Sequence, residues 1–211
     1  MRRTGDGDLD FSPRDAFFNE ILATRGRLPR PAAEILRDDV AVPVHAYDPH
    51  PEFIHAVTVD DIVDLLHRIP SEYLRELPRI VLLGGTNRQA SLRFDDGVFG
   101  HYDATGIFLH AYPRRHLAVE WRWTVRSESL DEFLRWGATH EPTPLGTRLR
   151  FDATSLRDFY LYDVLLHEIG HHVDRRRQQD DAAERFAHWF SDEQARVLGK
   201  LPASEARPPP R

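Results

Sequence analysis

The alternation of apolar and polar residues predicts two amphipathic helices near the end of the chain. Apolar residues recur at steps of three and four after Ser155, and the same spacing returns from Asp181 towards Leu198. The pattern Ser155-Leu156-Arg157-Asp158 predicts a capping box at the start of the first helix. Basic residues after Asp174 suit the end of this helix.

Shorter helices and strands are predicted earlier in the chain. Helical periodicity or capping residues mark four stretches: 14–24, 31–36, 58–69 and 129–136. Apolar runs or alternation predict β-structure in six: 79–83, 90–94, 98–102, 105–112, 116–125 and 148–151. Two proline-containing stretches are predicted to be loops: 40–53 and 137–146. This order predicts an α+β fold with N-terminal helices, a small and mostly antiparallel sheet, and a closing C-terminal helix.

The length and composition predict one main domain. The chain has 211 residues, of which 41% are hydrophobic, and this is enough for one good core. We expect a helical and loop extension over residues 1–57 and the main domain over residues 58–200. The proline-rich residues 201–211 are expected to form a disordered tail.

Charge and cysteine content narrow the classes of function. The net charge is −6, the charges are mixed in sign, and no long basic stripe appears, so a nucleic-acid partner is not expected. The chain has no cysteine, which excludes a disulfide framework and a thiolate zinc site. No apolar run is long enough to span a membrane, and no secretory leader is evident, so we expect a cytoplasmic protein without membrane contact.

The first C-terminal helix contains His167-Glu168-Ile169-Gly170-His171, a His-Glu-x-x-His pattern. On a helix the two histidines lie on one face, about 6 Å apart along the axis, and can share a tetrahedral zinc ion. Glu168 lies beside that ion, where a general base for a zinc-bound water belongs. Gly170 costs roughly 1 kcal/mol relative to alanine in a helix interior, which indicates close approach by a neighbouring element or the substrate.

Such a zinc site needs a third protein ligand. Glu184 is the first candidate, because it lies in the first turns of the next helix, within reach if the two helices pack antiparallel. The alternatives are Asp180, Asp181, His188 and, less favourably, Asp174. His172 is turned by about 100° from His171 around the helix, so it is not expected to bind the same ion.

Residues 155–199 resemble the zincin metallopeptidases, and within them the gluzincin type, whose third ligand is a glutamate. The segment from His167 to Asp174, followed by Glu184-Arg185-Phe186-Ala187, is similar to the catalytic core of anthrax-lethal-factor-type peptidases. It also resembles ImmA/IrrE-type bacterial peptidases. The resemblance implies His167, His171 and Glu184 as zinc ligands and Glu168 as base. Only 12 residues separate His171 from Glu184, which is short for these families and leaves the third ligand open.

The resemblance implies a zinc-dependent metallopeptidase that acts on a peptide or protein. It also implies that the motif helix packs across a small twisted sheet, whose edge strand binds the substrate backbone; residues 106–112 are the best candidate for that strand. Candidates for stabilising the oxyanion are Tyr160, Arg175, Arg177 and His188. Two other functions stay open, namely a non-catalytic zinc-binding structural or interaction protein and a regulatory peptidase with one dedicated protein target.

Overall fold

A five-stranded mixed sheet lies at the centre of the α+β fold in the computed structural model, which describes residues 28–85, 99–114, 118–121, 127–144, 146–174 and 181–202. The strands are β1 (Ala33–Arg37), β2 (Val40–Ala46), β3 (Phe53–Ile54), β4 (Ile80–Leu82), β5 (Gly100–Asp103), β6 (Gly106–Leu109), β7 (Tyr112–Pro113), β8 (Ala118–Trp121), β9 (Thr139–Thr143) and β10 (Gly146–Arg150). The helices are α1 (Val59–Arg68), α2 (Ser127–Arg135), α3 (Ala153–Phe159), α4 (Leu166–Asp174) and α5 (Asp181–Val197).

The central sheet has the strand order β1-β2-β4-β6-β5. Its three interior strands are parallel to one another, and each edge strand is antiparallel to its neighbour. The expectation of a mostly antiparallel sheet is therefore wrong for the interior of this sheet. Parallel neighbours need a crossover connection, and α1 lies in the one between β2 and β4. Two smaller sheets, β8-β10-β9 and β3-β7, are antiparallel.

Several predicted elements are confirmed. Strands overlap the predicted ranges 79–83, 105–112 and 148–151, and helices overlap 58–69 and 129–136. The capping box of α1 forms as predicted: the Thr58 hydroxyl accepts the Asp61 N–H at 3.1 Å, and the Asp61 carboxylate accepts the Thr58 N–H at 2.9 Å. The predicted helix over 14–24, the strand over 90–94 and most of the tail lie outside the described residues.

Three local predictions are wrong. Residues 31–36 contain strand β1 instead of a helix, and the predicted loops 40–53 and 137–146 contain β2 and β9. The short run Ala33–Arg37 has good helix formers, but pairing with β2 overrides this local preference and buries Ile35. β9 is exposed along four of its five residues, so it lacks an apolar pattern. Residues 33–46 thus contribute two strands to the central sheet.

The motif lies in a long helical segment that begins at Ala153 and ends at Asp174. Asp152 is its N-cap, because the Asp152 carboxylate accepts the Ser155 N–H at 2.7 Å and the Ser155 hydroxyl accepts the Asp152 N–H at 2.9 Å. The predicted cap at Ser155 is therefore displaced by three residues. A π-helical segment, Tyr160–Leu165, separates α3 from α4, and such wide turns are frequent at functional sites.

Gly170 allows α4 and α5 to pack closely. A Cβ at Gly170 would lie 2.8 Å from the Cα of Ala187 and 3.2 Å from the Cβ of Phe190. Ala183 and Ala187 are buried on the facing side of α5. The expectation that a neighbouring element approaches Gly170 is therefore confirmed, and that element is α5. None of the helices among the described residues combines the length and apolar character needed to cross a bilayer.

Candidate metal centre

Three side chains from α4 and α5 converge on one point. The Nε2 atoms of His167 and His171 lie 3.0 Å apart. The Glu184 carboxylate faces both rings, with Oε2 at 3.4 Å from Nε2 of His167 and Oε1 at 3.6 Å from Nε2 of His171. Ligands at about 2.0–2.1 Å from a tetrahedral zinc ion are separated from one another by about 3.3 Å. The donor types and their separations therefore fit a zinc ion.

His188 lies at the side of the same group. One ligand atom each from His167, Glu184 and His188 can be chosen so that all lie within 4.8 Å of one another. The rings of His167 and His188 have centroids 4.5 Å apart, and His188 follows Glu184 by one turn of α5. Two overlapping triads therefore share His167 and Glu184. We favour His171 as the third ligand because its separations of 3.0 and 3.6 Å lie close to the tetrahedral value, and because it is less exposed than His188.

Solvent reaches the group from the side of α5. The side chains of His167 and His171 are 16% and 7% exposed, whereas those of Glu184 and His188 are 48% and 47% exposed. The two histidines of α4 thus form the floor of the group, and Glu184 and His188 form its rim. A ligand could enter over this rim.

Charge within the group favours a cation. The neighbouring imidazoles of His167 and His171 hold the pKa of Glu184 well below its usual range, although partial burial opposes ionisation. Burial alone would lower the pKa of His167, but its hydrogen bond to Glu184 and the charge of Glu168 outweigh that effect and raise it. An ionised carboxylate beside two imidazole nitrogens is a donor set that suits zinc and other divalent ions.

Glu168 follows His167 directly on α4 and is not one of the three converging side chains. It is buried, and this burial raises its pKa, while the charges of His167 and His171 act in the opposite direction. Burial makes a carboxylate a stronger proton acceptor, which is the property of a general base.

The other candidates from the sequence are placed as follows. Asp181 is exposed at the start of α5, and neither it nor Asp174 belongs to the group formed by His167, Glu184 and His188. His171 does not belong to that group either, and its assignment depends on its separations from His167 and Glu184. Tyr160 is buried in an aromatic cluster, against Tyr112 and Phe99, so its proposed role at the oxyanion is wrong. The remaining candidates, Asp180, Arg175 and Arg177, lie outside the described residues.

Within the part of the chain that the structure describes, the edge strand beside the motif is β5, not residues 106–112. β6 lies between β4 and β5 and pairs with both, so it has no open edge. α4 packs against β5, and a Cβ at Gly100 would lie only 2.7 Å from Cγ1 of Val164 in the π-helical segment. The alternation over 98–102 predicted a strand here, but alternation carries no information about which strand lies at an edge.

Helix α2 contributes residues that sequence analysis did not identify. Oε1 of Glu132 lies 3.6 Å from Nδ1 of His188. Arg135 forms ion pairs with Asp163 of the π-helical segment and Asp192 of α5, so it connects the two helical segments that carry the ligands. These residues come from distant parts of the chain and belong to no motif, so no signal in the sequence could have grouped them.

Comparisons of the chain with protein-family models, with characterised proteins and with solved structures found no match. The functional interpretation therefore depends on the residues themselves. The central observations are the convergence of His167, His171 and Glu184, the buried Glu168 on the same helix as the two histidines, and strand β5 packed against α4.

Proposed function

We propose that the protein is a zinc-dependent hydrolase of peptide bonds. In this proposal His167, His171 and Glu184 bind the metal and Glu168 is the general base. The observation that carries the proposal is the convergence of two imidazole nitrogens, 3.0 Å apart, on the Glu184 carboxylate, whose two oxygens lie 3.4 and 3.6 Å from them, with Glu168 buried on the same helix. The His-Glu-x-x-His spacing and the glutamate on the following helix are also those of the gluzincin type of zincin, to which the sequence is similar.

Glu168 would move the proton in the reaction. A bound zinc ion would supply a Lewis acid that polarises the scissile carbonyl and lowers the pKa of water. Glu168 takes a proton from the attacking water as the water oxygen adds to the carbonyl carbon, and it then gives that proton to the leaving amine. The burial that raises its pKa lets Glu168 hold the proton between these two steps.

The geometry of strand β5 is the reason for proposing a peptide as the substrate. The N–H of His110 donates to the C=O of Phe99 at 2.8 Å, so these residues form a hydrogen-bonded pair of the β5–β6 ladder. Pairs alternate along an antiparallel ladder, which directs the backbone groups of Gly100 and Tyr102 away from β6. An extended peptide could pair with this side of β5 while its scissile bond lies near the ligands.

Metal analysis of the full chain tests the proposal. We expect about one zinc ion per chain in the wild type by elemental mass spectrometry, and strong loss in His167→Ala, His171→Ala and Glu184→Ala. Glu168→Gln should retain the metal and lose cleavage of a quenched-fluorescent peptide library, because it removes the base and leaves the ligands. A wild-type chain that binds no added zinc, or Glu168→Gln cleaving at the wild-type rate, would refute the proposal.

His188 supports a second candidate function, a closed structural zinc site. If His188 were a fourth protein ligand, the ion would have no open position and would connect α4 to α5. Cobalt substitution distinguishes the two functions, because its visible spectrum responds to the number of imidazole ligands. A large spectral change in His188→Ala supports the structural site, and an unchanged spectrum supports the hydrolase.

A further inference from the structure

Arg135, the last residue of α2, lies between two carboxylates that belong to different helical segments. Its Nη2 atom forms an ion pair with Asp163 of the π-helical segment, and its Nη1 atom lies 2.7 Å from Oδ1 of Asp192 on α5. The three side chains are only 14–28% exposed, so solvent screens these charges less than those of an ordinary surface ion pair. Arg135 therefore forms a partly buried bridge from the segment before the motif to the helix that carries Glu184.

The Asp163 end of this bridge is also fixed by the residue after Arg135. Nε1 of Trp136 donates a hydrogen bond to Oδ1 of Asp163 at 3.0 Å. Trp136 is buried, and its ring stacks on Tyr162 of the π-helical segment with the ring centroids 6.1 Å apart. The end of α2 is thus attached to the π-helical segment, and Arg135 extends from this attached end to α5.

The bridge lies in the same antiparallel register as the proposed metal ligands. Asp163 lies eight residues before His171, and Asp192 lies eight residues after Glu184. Eight residues are about two turns, or about 12 Å of helix axis. The two helical segments therefore meet at the ligands, where Glu184 faces His171, and are joined again by Arg135 about two turns away.

Two separated contacts fix α5 more completely than one. The close contact of Gly170 with Ala187 sets the distance between α4 and α5, but a single contact leaves α5 able to pivot about it. The Arg135 bridge is a second contact, and it opposes this pivoting. Without the guanidinium, the carboxylates of Asp163 and Asp192 would be left close together as like charges, and their repulsion would push α5 away from the π-helical segment.

We propose that Arg135 is a positioning residue for the metal centre. By joining α5 to the π-helical segment, it keeps Glu184 at the place where its carboxylate faces the imidazoles of His167 and His171. The inference rests on the proposed function in one respect, namely that these three side chains are the metal ligands. Arg135 acts on them through the position of α5 and is not a ligand itself.

The sign of the effect on zinc affinity distinguishes positioning from a simple effect of charge. If Arg135 acted only as a nearby positive charge, its removal would strengthen the binding of a cation. If Arg135 positions α5, its removal displaces Glu184 and weakens zinc binding. Loss of a residue that orients metal ligands typically weakens binding by about 10–100-fold.

Three variants leave every proposed ligand in place. Arg135→Met removes the charge and keeps a long side chain, and Asp192→Asn removes the α5 end of the bridge and gives a second test if Arg135→Met folds poorly. Arg196→Met is the matched control. Arg196 also pairs with Asp192, at 3.6 Å, but its ion pairs among the described residues stay within α5 and join no second helix.

The first measurement is the zinc affinity of the full chain, by competition with a chromophoric chelator. Arg135→Met and Asp192→Asn should each bind zinc about 10–100-fold more weakly than the wild type. The double variant should bind no more weakly than the weaker single variant, because both substitutions remove the same bridge. Arg196→Met should bind within about threefold of the wild type, as expected for an ion pair within one helix.

The second measurement needs no metal. In ¹H–¹⁵N spectra of the metal-free chain, Arg135→Met and Asp192→Asn should shift the amide signals of residues 183–188, whereas Arg196→Met should leave them in place. The inference is overturned if Arg135→Met binds zinc as tightly as the wild type or more tightly, if the two losses add in the double variant, or if these amide signals do not shift. If they shift as expected but the wild type binds no zinc, the positioning of α5 stands and the proposed function fails.

Discussion

Gly170 offers a test of the metal centre that leaves every proposed ligand unchanged. In Gly170→Ala the new Cβ would lie 2.8 Å from the Cα of Ala187, whereas carbon atoms in contact normally lie about 3.5–4.0 Å apart. The near neighbour is backbone, so no side-chain rotation relieves the contact. Helix α5 must move away from α4 by about 1 Å. Glu184 is on α5, only three residues before Ala187, and it must move with the helix.

The expected effect on zinc binding is larger than the effect on folding. Overpacking costs about 1–3 kcal/mol, while alanine in place of glycine stabilises a helix by about 1 kcal/mol, so the net loss of unfolding free energy should be about 0–2 kcal/mol. A metal site tolerates displacements of about 0.2 Å. Zinc affinity should therefore fall by at least about tenfold in Gly170→Ala, and further in Gly170→Val.

Two assays separate these effects. Competition with a chromophoric chelator gives the zinc dissociation constant, and urea unfolding in the presence of a chelator gives the stability of the metal-free chain. Arg185→Ala is the control, because Arg185 is adjacent to Glu184 but exposed, and both quantities should stay at the wild-type values. If Gly170→Ala binds zinc as tightly as the wild type, then the contact between α4 and α5 does not set the position of Glu184, and the reasoning is wrong.

Three further predictions concern stability and the edge strand. Burial, with a smaller contribution from His101, lowers the pKa of His110 from 6.5 to about 3. The unfolded chain therefore binds a proton at this residue before the folded chain does as the pH falls. In urea unfolding, the free energy of unfolding should fall by about 2–3 kcal/mol between pH 7 and pH 4.5, and this loss should be absent in His110→Gln. Although burial opposes ionisation, the hydrogen bond from Arg157 lowers the pKa of Asp61. Asp61→Asn should therefore lower the free energy of unfolding by about 1 kcal/mol at neutral pH and by progressively less below pH 4. An equal loss at pH 3 would contradict this. Gly100→Ala should reduce peptide cleavage, because the new Cβ would collide with a methyl group of Val164. Adding Val164→Ala removes that methyl group and should restore cleavage. If Gly100→Ala alone cleaves at the wild-type rate, the contact between β5 and Val164 does not matter for cleavage.

The elements whose structure depends on near neighbours were predicted best. His167 and His171 fall on one face of α4 because residues four apart are one turn apart in any α-helix. The capping box of α1 was predictable for the same reason, since its hydrogen bonds join Thr58 to Asp61. Gly170 also indicated a close contact, because a glycine inside a helix costs stability unless packing requires it.

The elements whose structure depends on distant partners were predicted poorly. Strand β1 has the composition of a helix and is a strand because β2 pairs with it. The edge strand was assigned to β6, since strand order depends on which segments pair and both β5 and β6 are short. The π-helical segment before the motif is buried almost throughout, and the apolar pattern alone does not distinguish it from an ordinary buried helix.

The sequence by itself determined the chemistry of the centre: two imidazoles at helical spacing, a carboxylate between them, and acidic residues on the next helix. Only the tertiary structure decided which acidic residue meets the imidazoles. The packing of Gly170 against Ala187 sets the position of α5 along the axis of α4. In that position Glu184 faces the rings of His167 and His171, while Asp181 is exposed a turn earlier. That choice depends on contacts between separate helices, and the residue spacing within each helix does not contain it.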